Sequence, residues 1–61
     1  MRKFKEHDTV ISISEIPNVP IGSPGTIVHV YPEEKAFEVE FFKDEVTITV
    51  ETVLPNQIIH R

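Results

Sequence analysis

The chain has no cysteine and no tryptophan, only two glycines, and six basic residues against ten acidic ones. Each shortage excludes something. Without cysteine there is neither a disulfide staple nor a thiolate metal site, and nothing ties the chain to an oxidising compartment. No apolar run approaches the roughly 20 residues that a membrane helix needs, so no membrane insertion is expected. The opening MRKFKEHD is basic but has no apolar stretch behind it, which is not the pattern of a signal peptide. The expectation is a cytoplasmic protein. With 61 residues there is room for one domain. A domain of that size buries only roughly 60% of the surface its unfolded chain exposes, so its stability is marginal.

The scarce basic charge is also badly spread. Arg2, Lys3 and Lys5 sit near the start and Arg61 at the end. Between Glu6 and His60, ten acids face Lys35 and Lys43, a balance of about −8 for the body of the chain. Nucleic-acid binding draws most of its affinity from neutralised phosphates, so it is disfavoured. A basic protein partner is attracted instead. The plainer reading of the same charge is a surface that keeps a small protein soluble.

What the chain does have is alternation. Residues 1–7 read as a flexible basic tail and residues 8–61 as one folded unit. TVISIS, from Thr9, is rich in β-branched residues and places Ile11 and Ile13 on one face, Val10 and Ser12 on the other. EIPNVPIGSPG follows. Pro17, Pro20 and Pro24 remove backbone donors and fix φ, so no regular element crosses this stretch. It is expected to be an ordered loop, with Ile16, Val19 and Ile21 folded back on the core. TIVHVY (residues 26–31) is the second strand, and Pro32–Lys35 the turn into AFEVEFF (residues 36–42). There Phe37, Val39 and Phe41 point one way and Glu38, Glu40 and Phe42 the other. After a turn at Lys43-Asp44-Glu45, VTITV is expected to face Val46, Ile48 and Val50 inward and Thr47 and Thr49 outward. Pro55 bars a continuing central strand, so a turn of 3-10 helix is expected around Thr52 to Leu54, before a short last strand in QIIH.

Five short strands, a proline-bearing loop after the first, two hairpins and a 3-10 turn before the last make an all-β chain in the order of a small SH3-like barrel. With no helix to cover them, such strands bury one face and protect their edges by closing up. An OB-type barrel is the runner-up. Gly22 and Gly25 are the structural turn residues in this reading. Gly25 is expected to lead the chain into the second strand at a φ that other residues resist. As a phosphate loop, G-x-x-G is unsupported, because neither a lysine-serine or lysine-threonine pair nor a helix follows.

Asp8, Ile16-Pro17, Gly22, Gly25-Thr26-Ile27-Val28, Val30, Phe37-Glu38-Val39-Glu40-Phe41 and Leu54 followed by Ile58 or Ile59 together resemble a family of short bacterial proteins. That family is common in cyanobacteria and classed as a domain of unknown function. The resemblance covers almost the whole chain; KDEVTITVETV departs from it in lacking the glycines many members carry. It implies the SH3-like fold and no established activity. Some members are similar to proteins encoded beside a suspected toxin, which implies an antitoxin-like partner role. A looser resemblance is to the SH3-like stromal subunit of photosystem I, which implies a small structural subunit of a larger complex. Nucleic-acid-binding barrels of the ribosomal-factor type share G-x-x-G-x-V, but their loops are basic and these are not.

No catalytic residues are expected, and no metal or other cofactor. A barrel this small fills its interior with side chains. His7, His29 and His60 fall on different elements. Glu6-His7-Asp8 offers three ligand types in a row, but neighbours on an extended chain point to opposite faces. Ser12, Ser14 and Ser23 have no evident histidine and carboxylate partners. The Pro17–Pro20 string, P-x-x-P, is read as loop rigidification, and the aromatic cluster of a proline-peptide groove is missing. The partner-binding expectation rests on one patch: Tyr31, Glu38, Glu40 and Phe42 on the outward face of strands two and three, with Asp44 and Glu45 at its rim. Aromatic surface beside carboxylates suits a basic, partly apolar protein. The alternative is an ordinary solvated sheet face. Sequence patterning carries no signal of oligomeric state.

Overall fold

Alternation in the middle of the chain organises the whole molecule. In the computed structural model, which describes residues 3–61, Phe37, Val39 and Phe41 are at most 1% exposed. They lie on β3 (Phe37–Lys43), an interior strand of one five-stranded antiparallel sheet. The others are β1 (Thr9–Ser12), β2 (Pro24–Val30), β4 (Val46–Val53) and β5 (Ile58–His60), in the order β4-β3-β2-β1-β5. Val10, Ile27, Val53 and Ile58 complete the centre of the core, and Ile16 and Val19 seal it from the loop. There is no α-helix among the described residues.

The proline-bearing loop is held by its turns and by two serines. Ile16-Pro17-Asn18-Val19 closes with a bond from Val19 N–H to the Ile16 carbonyl at 3.0 Å, and Asn18 has φ 65°. Proline followed by asparagine at positive φ is the chemistry of a type II turn. Ser12, 1% exposed at the end of β1, donates its hydroxyl to the Pro20 carbonyl at 3.0 Å and accepts the Ser23 N–H at 3.0 Å. Ser23 donates its own hydroxyl to Pro20 at 2.6 Å. The buried serines therefore organise the loop. Ile21 departs from expectation: it is 66% exposed, because the loop must turn outward at Gly22, φ 92°, to reach β2.

Gly25 is glycine for a different reason from the expected one. Its φ lies in the ordinary region, and it pairs with Val10 on one side and Phe41 on the other. A Cβ there would stand 2.7 Å from Val39 Cγ1 and 2.9 Å from Phe41 Cδ1. Close packing requires this glycine; positive φ requires Gly22.

Three further expectations are corrected. β4 continues through Val53, and the 3-10 turn falls at Pro55–Gln57, with proline at its first position where a missing N–H costs nothing. The phase of β4 is reversed from Thr49 onward: Thr49 and Glu51 oppose Phe41 and Val39 on the inner side and Val50 is 50% exposed. Before the bulge Thr47 faces outward as expected, paired with Phe42, and Val46 and Ile48 are 64% and 38% exposed rather than buried. The first residues also pack. Phe4 lies edge-on to Phe37 at 5.3 Å and stacks on His60 at 4.4 Å, and His7 N–H bonds the Ile27 carbonyl at 2.7 Å. An aromatic side chain next to an open core edge is worth burying even outside a strand. Met1 and Arg2, the first residues of the expected tail, lie outside the described residues.

Both hairpin turns put non-glycine residues in the left-handed region: Glu33 and Glu34 at φ 60° and 57°, Asp44 and Glu45 at 53° and 67°. Two-residue hairpins of this hand favour Asn-Gly. Exchanging Asp44-Glu45 for Asn-Gly should therefore raise stability by about 1 kcal/mol. Urea titration of both proteins checks it; an unchanged or lower midpoint would show that the turn is not strained.

Candidate functional site

Strand pairing decides which side chains share the outer face of the sheet. Glu38 pairs with His29 on one side and Thr52 on the other; Glu40 pairs with Thr26 and Val50; Phe42 pairs with Thr47. Residues paired across strands lie on the same face, so these side chains form one surface over β2, β3 and β4. Tyr31, just past β2, joins it by donating its hydroxyl to Glu38 Oε1 at 3.2 Å, and His29 meets Tyr31 edge-on at 4.9 Å. Thr52 also donates to Glu38, and Thr47 donates to Glu40 Oε2 at 2.6 Å. The carboxylates are thus pinned by hydroxyls and keep free acceptor capacity for an incoming donor.

The expected patch is brought together apart from Glu45 at its rim. Phe42 is half-buried at one end of the face, in an open groove with Pro20, Ile21, Pro24, Asp44 and Ile48. Glu45 is exposed in the turn beyond it. What the sequence reading missed is apolar surface. Val46, Ile48 and Val50 lie on or beside this face, and Val28, 41% exposed, joins them where a bulge between Ile27 and His29 disturbs the pairing of β2. Val53 carried the signal. Once it is placed in the core, a period of two through Thr52 turns Glu51 and Thr49 inward and Val50 outward, and the bulge opposite Phe41 and Phe42 resets the phase for the residues before Thr49.

A second cluster joins the start of β1 to β5. Asp8 Oδ2 lies 3.0 Å from His60 Nε2 and accepts the Lys5 N–H at 2.9 Å. With Lys3, these residues line a shallow depression. The His60 hydrogen bond, and after it the Lys5 N–H, hold the Asp8 carboxyl below the usual carboxylate range. A carboxyl lowered on folding adds stability that is fully present above its unfolded pKa and lost as pH falls through the folded value. Acidification into that range should therefore destabilise the wild type more than Asp8→Asn. Urea midpoints at neutral pH and in strong acid test this, and equal acid losses in both proteins would remove Asp8 from the account. Of Glu6-His7-Asp8, His7 is fixed by its backbone at φ 75° and Asp8 by His60, so the three do not act as one ligand set. No group of three or more histidine or acidic side chains that could hold a metal occurs among the described residues. No helix among them is long and apolar enough to cross a membrane.

The geometry defines a small all-β domain with one acidic, partly apolar sheet face. Residues 6–60 match the family model described as Domain of unknown function (DUF4926), and the chain belongs to that family. No curated protein and no solved structure matches it.

Proposed function

We propose that the chain is an SH3-like barrel acting as a non-enzymatic protein-binding module, and that its outer β2–β3–β4 face docks a basic protein. The observation that carries this is the surface itself. Val28, Ile48 and Val50 stand exposed beside Glu38, Glu40 and half-buried Phe42. Apolar side chains that a domain this small leaves out of its core mark surface available to a partner. Carboxylates among them add long-range attraction for a basic one. The strand order β4-β3-β2-β1-β5 and the 3-10 turn before β5 support the barrel reading. The family resemblance adds an antitoxin-like role as its specific form, and the cysteine-free sequence suits the cytoplasm.

The test uses three baits in parallel: wild type, Glu38→Lys with Glu40→Lys, and Phe42→Ala, each checked for folding by circular dichroism. A partner held by wild type should be lost or weakened with both variants. With that partner in hand, surface plasmon resonance should show charge reversal slowing association. Phe42→Ala should speed dissociation, by an amount equivalent to about 2 kcal/mol for a desolvated aromatic anchor. Folded variants that bind like wild type place the interface elsewhere.

A further inference from the structure

β4 is the long open edge of the sheet. It runs eight residues and pairs only with β3. Among the described residues, no backbone hydrogen bond from any other segment reaches it. The opposite edge, β5, is three residues long. Folded proteins guard open edges by shortness, lysine, proline, bulges or an inward-pointing charge. β5 is guarded by shortness. β4, VTITVETV, has neither lysine nor proline. Its bulge against Phe41 and Phe42 lies at the hairpin end and leaves Thr49–Val53 in regular register with β3. A run rich in β-branched residues is also well suited to strand pairing.

The one guard left is Glu51. It pairs with Val39, so it stands on the inner side of β4, half-buried, where its Oε2 accepts the Thr49 hydroxyl at 2.7 Å. No cation pairs with it among the described residues. A second copy of this chain laid along β4 would bring a like-charged edge to it, with Asp44 and Glu45 at the end of the same hairpin. That arrangement is repulsive. A strand carrying lysine or arginine at the facing position would be attracted instead. The same acid that excludes self-pairing therefore selects the partner.

We propose that β4 is a strand-addition site, at which an extended basic segment of a partner pairs with the backbone of Thr49–Val53. Alternation fixes the side chains of that segment: lysine or arginine on the inner side, beside Glu51, and apolar residues on the outer side, beside Val50. This rests on the reading of the chain as a module for a basic protein and supplies its mode of recognition.

The probe is a blocked eight-residue peptide alternating lysine and valine. Its controls are a glutamate-valine counterpart and two lysine-valine peptides N-methylated at alternate residues, one for each peptide edge. Amide spectra and hydrogen exchange of the intact protein are the readout. The lysine-valine peptide should shift the amides of Thr49–Val53 and slow exchange there by about tenfold or more. The glutamate peptide should not, and one of the two N-methylated peptides should lose binding. Glu51→Lys should reverse the preference between lysine and glutamate peptides. If both N-methylated peptides bind like the parent, with shifts confined to Glu38, Glu40 and Phe42, strand addition is wrong while docking on the outer face stands. If no peptide affects either region at millimolar concentration, both proposals fail. Concentration-dependent protection of β4 in the protein alone would make the occupant a second copy and overturn the proposal.

Discussion

Gly25→Val is expected to leave the domain largely unfolded at physiological temperature. The position lies between Val10 and Phe41 in adjacent strands, and a Cβ would already stand 2.7 Å from Val39 Cγ1 and 3.1 Å from the Glu40 carbonyl oxygen. Val39 and Phe41 are fully buried in the core. Overpacking of a close-fitting core typically costs about 1–3 kcal/mol, and valine adds two methyl groups beyond that Cβ. A single core of this size supplies only about 3–5 kcal/mol in all. Each kcal/mol corresponds to about 4–8 °C in Tm for a small domain. A thermal melt should therefore show a fall well above 10 °C, about 3 kcal/mol at those rates. Gly22→Ala makes the contrast. A Cβ at Gly22 meets nothing within 4 Å, so only its φ of 92° opposes the change. Its loss should be about 1–2 kcal/mol, the ordinary penalty of left-handed backbone. Equal losses at the two glycines would contradict the separate causes assigned to them.

Phe41→Ala should have the larger effect. Phe41 is fully buried on β3, opposite Gly25 on β2 and Thr49 on β4. Truncating a buried phenylalanine costs about 3–5 kcal/mol, from lost transfer energy and the cavity left behind. That equals the whole stability expected of such a domain, so the variant should lack dispersed amide resonances at 25 °C. Phe41→Leu, which keeps most of the volume, should fold and melt at a lower temperature. A Phe41→Ala protein with a native-like spectrum and a cooperative melt would show that the core is not centred on β3.

Local pattern was enough wherever one residue type could satisfy only one environment. Phe37, Val39 and Phe41 alternate with glutamates, so only one phase of β3 buries no charge. Pro17 and Pro20 mark the loop, whereas Pro24 opens β2, a strand position that tolerates a missing N–H. β4 offered no such choice. Valine and isoleucine alternate there with threonine, and threonine tolerates either side of a half-buried strand. The decision passes to Val53 and to the bulge opposite Phe41 and Phe42, which are facts of pairing rather than of composition. Placing the 3-10 turn before Pro55 cut the strand short and hid that constraint. Gly25 was legible as a necessary glycine but not its cause, because the crowding comes from Val39 and Phe41 in another strand. The structural role of Ser12 and Ser23 was not legible, because their burial goes with bonds to Pro20 that no local pattern encodes. The site shows the same division. Glu38, Glu40 and Phe42 could be placed on one face from β3 alone, while the apolar half of that face depended on the phase of β4.

That phase is also the claim on which the docking surface stands, and methyl accessibility measures it directly. A soluble paramagnetic agent added to methyl-labelled protein broadens the resonances it can reach. The methyls of Val28, Val46, Ile48 and Val50 should broaden strongly, and those of Val10, Ile27, Val39 and Val53 should persist. Protection of Val46, Ile48 and Val50 to the level of Val39 would return β4 to the core, and the outer face would be left with its carboxylates alone.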